Sequence, residues 1–373
     1  MATPKLRFKE FSGEWVHKPL SYFVTRVTRR NRGNESRLPL TISAQYGLVD
    51  QTEFFNKTVA SRELENYYLL YNGDFAYNKS YSNGYPFGAV KRLDRYDKGV
   101  LSSLYICFVQ NNIATSDYLT HYFETTKWHK EVSMIAVEGA RNHGLLNIAV
   151  GDFFDTLHFA PETKTEQEKL ANFLNLVNRK IALQRQKIKL LNDYTKGLIS
   201  RLFQTEKGQW VKLKVLCKYS SSTNTFSLIE NATDGDYPVY DAQGVVAQIG
   251  HFDMAEPYIA IIKDGAGVGR QQICSAKSSF IATMGAIQPI GVSLDYLYLV
   301  LQMIEFSKFV TGSTIPHIYF KDYGNVLVPL PNDEEQAIQS KAFSLLRKKV
   351  YKLEQVLDSL LMLKSGLLQQ MFI

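Results

Sequence analysis

The sequence predicts an α+β protein in which two globular segments of mixed α/β structure are each followed by one long helix. Two heptad patterns predict the helices, and a constant offset of 169 residues between them indicates an internal repeat. Short strand-like runs separated by turns predict the mixed structure of the segments before each helix. The length of 373 residues is enough for two or three domains.

The first heptad pattern covers residues 165–203. Positions that alternate four and three residues apart are apolar at eight of ten places, which is typical of a coiled-coil seam rather than of a helix on a broad core. At about 1.5 Å per residue the helix would be about 55–60 Å long, so its seam needs a partner helix. The apolar seam residues are Leu170, Leu174, Val177, Ile181, Ile188, Leu191, Leu198 and Leu202.

The second heptad pattern repeats the first in the same register and is the expected partner. Both patterns follow a proline and begin with acidic residues, which the helix dipole favours. Three identities recur at the offset of 169: Glu166-Gln167 with Glu335-Gln336, Gly197-Leu198 with Gly366-Leu367, and Phe203 with Phe372. The apolar seam residues of the second helix are Phe343, Leu346, Val350, Leu353, Leu357, Leu360, Leu367 and Met371.

The globular segments, residues 16–160 and 210–330, alternate strand-like and helical runs without the regular spacing of a parallel βαβ sheet. We predict strands at residues 40–43, 74–78, 101–109, 258–263, 279–283 and 326–329. We predict shorter helices near residues 60–70, 117–124 and 294–309.

The two segments also correspond to each other outside the helices. Trp15 follows Gly13-Glu14, as Trp210 follows Gly208-Gln209, and we expect both indole rings to be packing anchors. A strand that ends in Lys79 and continues into a small-residue turn corresponds, at an offset of 184, to a strand that ends in Lys263 and a similar turn. We interpret the chain as one scaffold used twice for two different recognition surfaces.

The composition narrows the possible functions. A formal charge of +7 and a pI of about 9.0 permit a polyanionic partner. The cysteines Cys107, Cys217 and Cys274 are far apart and odd in number, so we expect neither a disulfide framework nor a cysteine metal site. The N-terminus has no apolar signal segment and no apolar run approaches 18 residues, which predicts a cytoplasmic protein.

Searches for catalytic motifs give no candidate. The chain has no P-loop pattern, no Asn/Asp-Pro-Pro-aromatic methyltransferase motif and no ligand-like histidine spacing. Gly265-x-Gly267-x-Gly269 follows a strand but does not open a long helix, so a hairpin turn is the favoured interpretation. A turn whose bare backbone approaches a phosphate and a nucleotide site are the alternatives. We therefore expect a chain without catalytic residues, bound metal or cofactor.

Basic residues cluster where a nucleic-acid contact could form. Arginine and asparagine can make bidentate contacts to guanine and adenine edges, and both are concentrated in residues 26–37. A solvated loop is the alternative for this cluster. The DNA-binding candidates are Arg26, Arg29, Arg30, Asn31, Arg32, Lys79, Ser80, Tyr81, Asn83, Lys91, Arg92, Lys263 and Arg270.

Taken together, these motifs resemble the DNA specificity subunit of a type I restriction-modification system, over essentially the whole chain. The motifs are Pro4-Lys5-Leu6-Arg7-Phe8 with Gly13-Glu14-Trp15, Pro161 with Glu166-Gln167, Pro329-Leu330-Pro331 with Glu334-Glu335-Gln336, and the Gly-Leu and Phe ends of both helices. One departure is His158-Phe159-Ala160-Pro161, where the family more often has a Pro-x-Pro run.

The resemblance implies an α+β fold of two target-recognition domains of mixed α/β structure, each followed by a long helix, with the two helices paired as an antiparallel coiled coil. The recognition domains would be residues 1–160 and 207–330, and the spacer helices would be residues 161–206 and 331–373. Each domain would read one half of a bipartite DNA target. The helices would set the length of the unread spacer, on the scale of about 34 Å for one DNA turn.

The resemblance also implies the partners. They would be double-stranded DNA, two methyltransferase subunits and motor-nuclease subunits of one restriction complex. The methyltransferase would bind S-adenosylmethionine and flip an adenine out of the duplex, and the motor would use ATP and Mg. This chain would be the non-catalytic specificity subunit and would bind no membrane.

Two other kinds of function are compatible with the sequence. A free-standing, pseudo-dimeric DNA-binding regulator would bind its site without a methyltransferase partner. A protein scaffold would show no strongly salt-dependent DNA binding.

Polar residues interrupt both seams at Gln184, Thr195 and Lys364. Polar seam residues can fix the register of a coiled coil at a cost in stability. We therefore expect Lys364→Leu to stabilise the protein and to loosen its discrimination of spacer length. A frayed or solvent-reached layer is the alternative.

Overall fold

The computed structural model describes residues 2–56, 63–82, 84–136, 146–205, 209–225 and 235–373. The chain divides into two compact units, one formed by Met1–Leu183 with Leu357–Ile373 and the other by Gln184–Val356. Each unit contains one mixed α/β domain and part of each long helix. The α+β class predicted from the sequence is therefore confirmed.

The first unit contains the elements that precede the first long helix. They are β1 Val16–Pro19, α1 Leu20–Phe23, β2 Val24–Arg26, β3 Leu40–Ser43, β4 Gly47–Asp50, α2 Gln51–Phe55, β5 Tyr68–Tyr71, β6 Phe75–Asn78, β7 Ala89–Arg92, β8 Lys98–Leu101, β9 Ile106–Gln110, α3 Ser116–Phe123, α4 His129–Ile135, α5 Val150–Asp155 and β10 Leu157–Ala160. The first long helix, α6, is Lys164–Thr205.

The centre of the first unit is an antiparallel sheet of four strands in the order β2-β9-β6-β7. Its strands alternate side chains between two faces, and large aromatic rings pack on it. Tyr77 stacks on Phe153 at 4.7 Å between ring centroids, and Phe75 stacks on Phe108 at 5.3 Å. All four rings are fully buried, so this aromatic core fixes the sheet against the helices of the unit.

The second unit contains the second domain and most of the second long helix. Its elements are β11 Gln209–Lys212, β12 Cys217–Ser221, β13 Tyr237–Asp241, β14 Gly244–Ile249, β15 Tyr258–Ile262, β16 Gln271–Cys274, β17 Ser279–Phe280, β18 Met284–Pro289, α7 Leu294–Leu301, α8 Phe320–Tyr323 and β19 Leu327–Leu330. The second long helix, α9, is Asp333–Met371.

The sheet topology repeats between the two units. The second central sheet has the order β12-β18-β15-β16, which matches β2-β9-β6-β7 strand for strand. In each unit the first strand pairs antiparallel with the strand that leads to the long helix: Val16 lies opposite Ala160, and Val211 lies opposite Val328. The repeat found in the sequence is thus a repeat of the fold.

A buried glutamine near the start of each long helix explains the repeated Glu-Gln pair. Gln167 donates from Nε2 to the carbonyl of Pro161 at 3.0 Å, and Gln336 donates to the carbonyl of Pro331 at 2.9 Å. Both amides are nearly inaccessible to solvent. Each glutamine therefore ties the first turn of its helix to the proline that ends the preceding strand, and an unpaired amide at this place would be costly.

Within each unit the two long helices pair through their seams. In the first unit, Leu170 and Leu174 of α6 share a hydrophobic core with Leu368 and Met371 near the end of α9. In the second unit, Ile199 near the end of α6 shares a core with Phe343 near the beginning of α9. These contacts require an antiparallel pair. Every seam residue with a described side chain is buried or half-buried, and the Leu202 side chain lies outside the described part.

The polar seam residues have specific partners. Gln184 donates from Nε2 to the Leu353 carbonyl at 2.7 Å, and the Thr195 hydroxyl donates to the Leu191 carbonyl at 2.7 Å. Lys364 forms an ion pair with Glu124, just after α3, at 2.9 Å. The structure instead predicts that Lys364→Leu is destabilising, because leucine would leave the half-buried Glu124 carboxylate without its lysine.

Local predictions differ from the structure in three places. The predicted strand 101–109 is interrupted, because Tyr105 N–H turns back to the Ser102 carbonyl between β8 and β9. The predicted helix near 60–70 is wrong in its described part, where the apolar run forms the buried strand β5 and pairs with β8. The helix predicted to end at residue 309 ends at Leu301, and a separate 3-10 turn follows at Phe306–Phe309.

Among the described helices, none combines the length and the apolar composition that a membrane span requires.

Candidate nucleic-acid interface

The loop that follows β2 is held in place by Asn31. Its side-chain Nδ2 donates to the carbonyls of Ser36 at 2.9 Å and Leu64 at 3.3 Å, and its Oδ1 accepts the Ser36 N–H at 2.9 Å. The residue is fully buried, so this amide cannot also contact a base edge. The structure therefore corrects the prediction for Asn31, which positions the loop, while its exposed neighbour Arg32 stays a candidate.

Two arginines of this loop stack on tyrosines of β5. The Arg29 guanidinium lies 4.6 Å from the Tyr71 ring centroid and pairs with the buried Asp74 carboxylate. Burial raises the pKa of Asp74, and Arg29 partly offsets this rise. Arg30 lies 4.6 Å from the Tyr68 ring centroid. Stacking fixes the planes of both guanidinium groups, but only Arg30 has no carboxylate partner in the described part of the chain.

Lys91 and Arg92 lie at the other end of the sheet from Lys79. Arg92 donates to Asp94 and to Asp117 of α3, both at 2.6 Å. Asp117 also accepts from the Asn175 amide of α6 at 2.9 Å. Arg92 therefore joins the sheet to two helices, which corrects its prediction as a DNA contact.

Lys91 is also turned toward the interior. Its ammonium lies 5.7 Å from the Tyr85 ring centroid. Burial lowers the pKa of Lys91. Lys364 lowers this pKa further, whereas Glu124 acts to raise it. Glu124 lies at the end of α3 and Lys364 lies in α9, so the structure places half-buried Lys91 near the helices and corrects its prediction as a DNA contact.

Arg26, Lys79, Ser80 and Tyr81 gather at one end of the first central sheet. Arg26 ends β2, and Lys79 directly follows β6. The Ser80 N–H is bonded to the Asn78 side chain at 3.0 Å, which starts the turn, and the Tyr81 side chain is 60% exposed. The candidate Asn83 lies outside the described residues.

The second unit presents Lys263 and Arg270 on either side of the β15–β16 turn. The two strands pair antiparallel, so the hairpin interpretation of the glycine-rich stretch is confirmed. Gly267 has a φ of +85°, and a Cβ there would lie 2.7 Å from Arg270 Nε. Glycine therefore allows the Arg270 side chain to cross the turn, where its Nη2 donates to the Ala242 carbonyl at 3.2 Å.

A carboxylate anchors the same turn. Asp264 accepts from Lys263 Nζ at 2.9 Å and contacts His317 Nδ1 at 2.8 Å. Burial would raise the pKa of Asp264, but Lys263 and His317 outweigh burial and lower this pKa. The sequence analysis did not identify His317 as a site residue. Its pairing with a residue 53 positions away has no local sequence signal.

The strand ends that carry Lys79 and Lys263 are equivalent in the two sheets. β6 and β15 each occupy the third position of the central sheet, and each runs into an exposed turn. The structure thus brings one set of polar candidates together in each unit: Arg26, Lys79, Ser80 and Tyr81 in the first, and Lys263 and Arg270 in the second.

Exposed leucines outside the seams occur at corresponding positions of the two repeats. Leu176 of α6 and Leu345 of α9 are 65% and 59% exposed, and they are equivalent at the offset of 169. Leu157 and Leu327, which begin β10 and β19, are also equivalent and are 40% and 58% exposed. The sequence analysis considered only the seams, although the repeat offsets, 169 for the helix pair and 170 for the strand pair, could have identified these leucines.

Other reactive groups are buried or dispersed. Burial raises the pKa of the thiols of Cys107, Cys217 and Cys274. Within the described ranges, no group of three or more histidine, cysteine, aspartate or glutamate side chains is arranged to hold a metal ion.

Comparisons with known proteins agree with this architecture. Residues 206–360 match the model of the type I restriction modification DNA specificity domain. The fold is similar to that of the type I restriction-modification S subunit from M. genitalium, with a TM-score of 0.62 and 16% identity over 100% of this chain and 99% of that one. A structure described for complex assembly and conformational transition of the type I R-M system gives a TM-score of 0.57 and 17% identity over 98% and 99% of the two chains. A search of curated proteins finds no match.

Two repeated α/β domains and a pair of antiparallel helix segments define the fold class of the restriction-modification S subunits. Residues 206–360 thus match the type I restriction modification DNA specificity domain, and the chain has the fold of these S subunits over its length. The match is consistent with a function in DNA sequence specificity, and the regulator considered from the sequence is not favoured.

Proposed function

We propose that the chain reads a bipartite DNA target, with one recognition domain for each half. The carrying observation is that equivalent strand ends present different side chains: Lys79 with Ser80 and Tyr81 in one unit, and Lys263 with Arg270 in the other. An equivalent scaffold with different contacts suits two unlike half-sites. The proposed domains are residues 1–160 and 207–330, and residues 161–206 and 331–373 are the proposed spacer helices.

Arg270 provides a test of the half-site assignment. We expect Arg270→Gln to relax the sequence requirement in one half of the methylated motif and to leave the other half and the gap unchanged. An arginine that contacts a base edge contributes about 1–3 kcal/mol of discrimination. The measurement is a genome-wide map of adenine methylation in cells that express the chain with its methyltransferase.

The matched control is Lys308→Gln, because Lys308 is an exposed cation of the same unit that pairs with Glu305. The control should reproduce the wild-type motif. Relaxation of both halves by Arg270→Gln would contradict the assignment, and so would an unchanged motif. Absence of methylation without this chain, together with a two-part motif in its presence, would support the bipartite function itself.

The second part of the proposal concerns the protein partners. Two methyltransferase subunits would each bind one set of equivalent exposed leucines, Leu157 with Leu176 and Leu327 with Leu345. Exposed leucines at corresponding places in both repeats, at offsets of 169 and 170, favour the same partner bound twice. The similar R-M structure is described for complex assembly, which is consistent with such partners.

Single substitutions can show how many methyltransferase subunits bind to each chain. We expect Leu176→Asp or Leu345→Asp to weaken one methyltransferase site at least about tenfold, and the double variant to weaken both. Native mass spectrometry of the copurified complex should then give one methyltransferase copy for either single variant and none for the double variant.

Leu190→Asp is the matched control for the partner experiment. Leu190 is 60% exposed on α6, but the equivalent residue at the offset of 169 is Ser359. This variant should keep both copies. Two copies bound to the double variant would show that the leucines are not the docking surface.

The catalytic groups of the complex are proposed to lie on the partner subunits. The methyltransferase would bind S-adenosylmethionine, and motor-nuclease subunits would bind ATP and Mg. This chain would supply the DNA sequence and the attachment points. A genomic DNA target also places the proposed activity in the cytoplasm.

A further inference from the structure

A small polar pocket lies at the end of the first central sheet where Arg26 and Lys79 meet. β9 stands between β2 and β6 and runs antiparallel to both. The chain leaves β2 and β6 at the edge where β9 begins, so their last residues come together there. Arg26 and Lys79 reach this edge from opposite sides of Ile106, the first residue of β9.

The pocket has a volume of about 150 Å³. Pockets for drug-sized molecules are about 300–1,000 Å³, so this one suits a single small group and not a nucleoside. Among the described residues that line it, none is acidic. The lining residues with cationic or hydroxyl side chains are Arg26, Lys79, Tyr68, Ser103 and Tyr105.

The two cations have little compensation inside the protein. Among the described residues, Lys79 Nζ donates a long hydrogen bond, at 3.4 Å, to the Ile148 carbonyl. Arg26 has no acidic partner in the described part of the chain, whereas Arg29 and Arg92 both do. Two neighbouring cations repel each other unless an anion stands between them. Their uncompensated charge therefore favours an anionic ligand.

The walls of the pocket restrict how the ligand can be held. The Tyr68 ring is buried beneath the stacked Arg30 guanidinium, which gives one wall a fixed position. Ser103 and Tyr105 lie in the turn that precedes β9, where the Tyr105 N–H is bonded to the Ser102 carbonyl at 3.2 Å. Arginine, lysine, serine and tyrosine are the side chains that contact DNA phosphates.

We propose that this pocket binds one phosphate group of the DNA backbone, held jointly by Arg26 and Lys79. The proposal rests on the proposed function, because it makes the pocket the place where the first recognition domain fixes its position on the duplex. Phosphate contacts carry no sequence information themselves but set the register in which base contacts are made. Free phosphate has the same chemistry, so the experiment must separate the two sources.

The test is the salt dependence of DNA binding by the full chain. Each neutralised phosphate contributes about 0.9 to the slope of log K against log salt for B-DNA. We compare wild type, Arg26→Gln, Lys79→Gln and the double variant on a fluorescent duplex of random sequence between about 50 and 200 mM KCl. Each single variant should reduce the magnitude of the slope. The double variant should reduce it by about 0.9 in total, because both residues bind one phosphate.

Arg32→Gln is the control, since Arg32 is an exposed arginine of the same unit that does not line the pocket. The decrease in slope caused by Arg32→Gln should add to the decrease caused by either pocket variant. A loss of about 1.8 in the double variant would mean two separate phosphates, and an unchanged slope would mean no phosphate in the pocket; either result overturns the proposal. Salt-independent binding by the wild type would instead refute DNA binding as the proposed function.

A second experiment tests whether the pocket binds free phosphate. Thermal unfolding is measured in potassium phosphate and in potassium chloride of equal ionic strength, with the same four proteins. Stabilisation by phosphate that disappears in the pocket variants, without a change in their DNA slope, would assign the pocket to a free anion and overturn the DNA assignment. Circular dichroism of each variant checks that the fold is intact.

Discussion

Replacement of Glu166 by alanine is expected to destabilise the first unit by about 3–5 kcal/mol, the range for removal of one partner of a buried ion pair. Arg7 meets Glu166 in a bidentate arrangement, Nε to Oε1 at 2.7 Å and Nη2 to Oε2 at 2.8 Å. Trp15 Nε1 donates to the same carboxylate at 3.2 Å. Alanine would leave the guanidinium and the indole N–H without this partner in a largely buried place.

Glu335 is the matched control, because it occupies the equivalent position of the repeat but is exposed. Glu335→Ala should change the stability by no more than about 0.5 kcal/mol, as for an ordinary surface substitution. Urea unfolding gives the free energy, and hydrogen exchange followed by mass spectrometry assigns the loss to one unit. Equal losses for the two variants would contradict the asymmetry between the repeats.

The second large effect is expected for Lys364→Leu, which should destabilise the first unit by about 2 kcal/mol. Removal of one partner of a fully buried ion pair costs about 3–5 kcal/mol, but these side chains are 20% and 27% exposed, so solvent screening lowers the figure. His121 would stay near Glu124, with its Nδ1 3.6 Å from Oε2. Urea unfolding at about pH 7 measures the difference.

The effect of Lys364→Leu should depend on pH. Burial alone would raise the pKa of Glu124, but His121 and Lys364 outweigh it and lower the pKa to about 2. A lowered carboxyl pKa stabilises the fold above the ordinary value of about 4.5, and this contribution is lost as the pH falls toward 2. The difference between wild type and variant should therefore shrink from about pH 5 to about pH 3.

The double variant Lys364→Leu with Glu124→Gln tests the cause. Removal of the carboxylate charge should recover most of the stability that the single Lys364→Leu variant loses, because no unpaired charge is then left half-buried. A single Lys364→Leu variant that is more stable than wild type at neutral pH would restore the expectation drawn from the sequence.

Much of the fold could be predicted because apolar residues and short motifs recur at regular intervals in the sequence. The heptads predict both long helices and their pairing, and the repeated Glu-Gln pair marks where each helix begins. The two tryptophans show the limit of this reasoning. Trp15 is 4% exposed and contacts Phe372 and Tyr118, whereas Trp210 is 43% exposed. Equal motifs thus have unequal burial, because the covering residues come from distant parts of the chain.

The candidate interface was less predictable for a physical reason. The residue types that contact DNA also stabilise proteins, and sequence neighbours do not reveal which task each one has. Asn31 and Arg26 are five positions apart, yet one is fully buried and hydrogen-bonded and the other lines an open pocket. Arg92 is committed to Asp117, a partner 25 positions away that no local pattern connects to it. Strand topology supplies the missing information.

The contact between Gln184 and Leu353 has a consequence for how the chain can vary. The two residues occupy the same position of the repeat, and in a two-fold symmetric dimer such residues meet only near the axis. At this contact the helix pairing is the one that a symmetric helix dimer would show near its axis. Identical subunits would have to place the same residue on both sides of the axis. A fused chain is free of that requirement, and here it sets a glutamine amide against the backbone of a leucine.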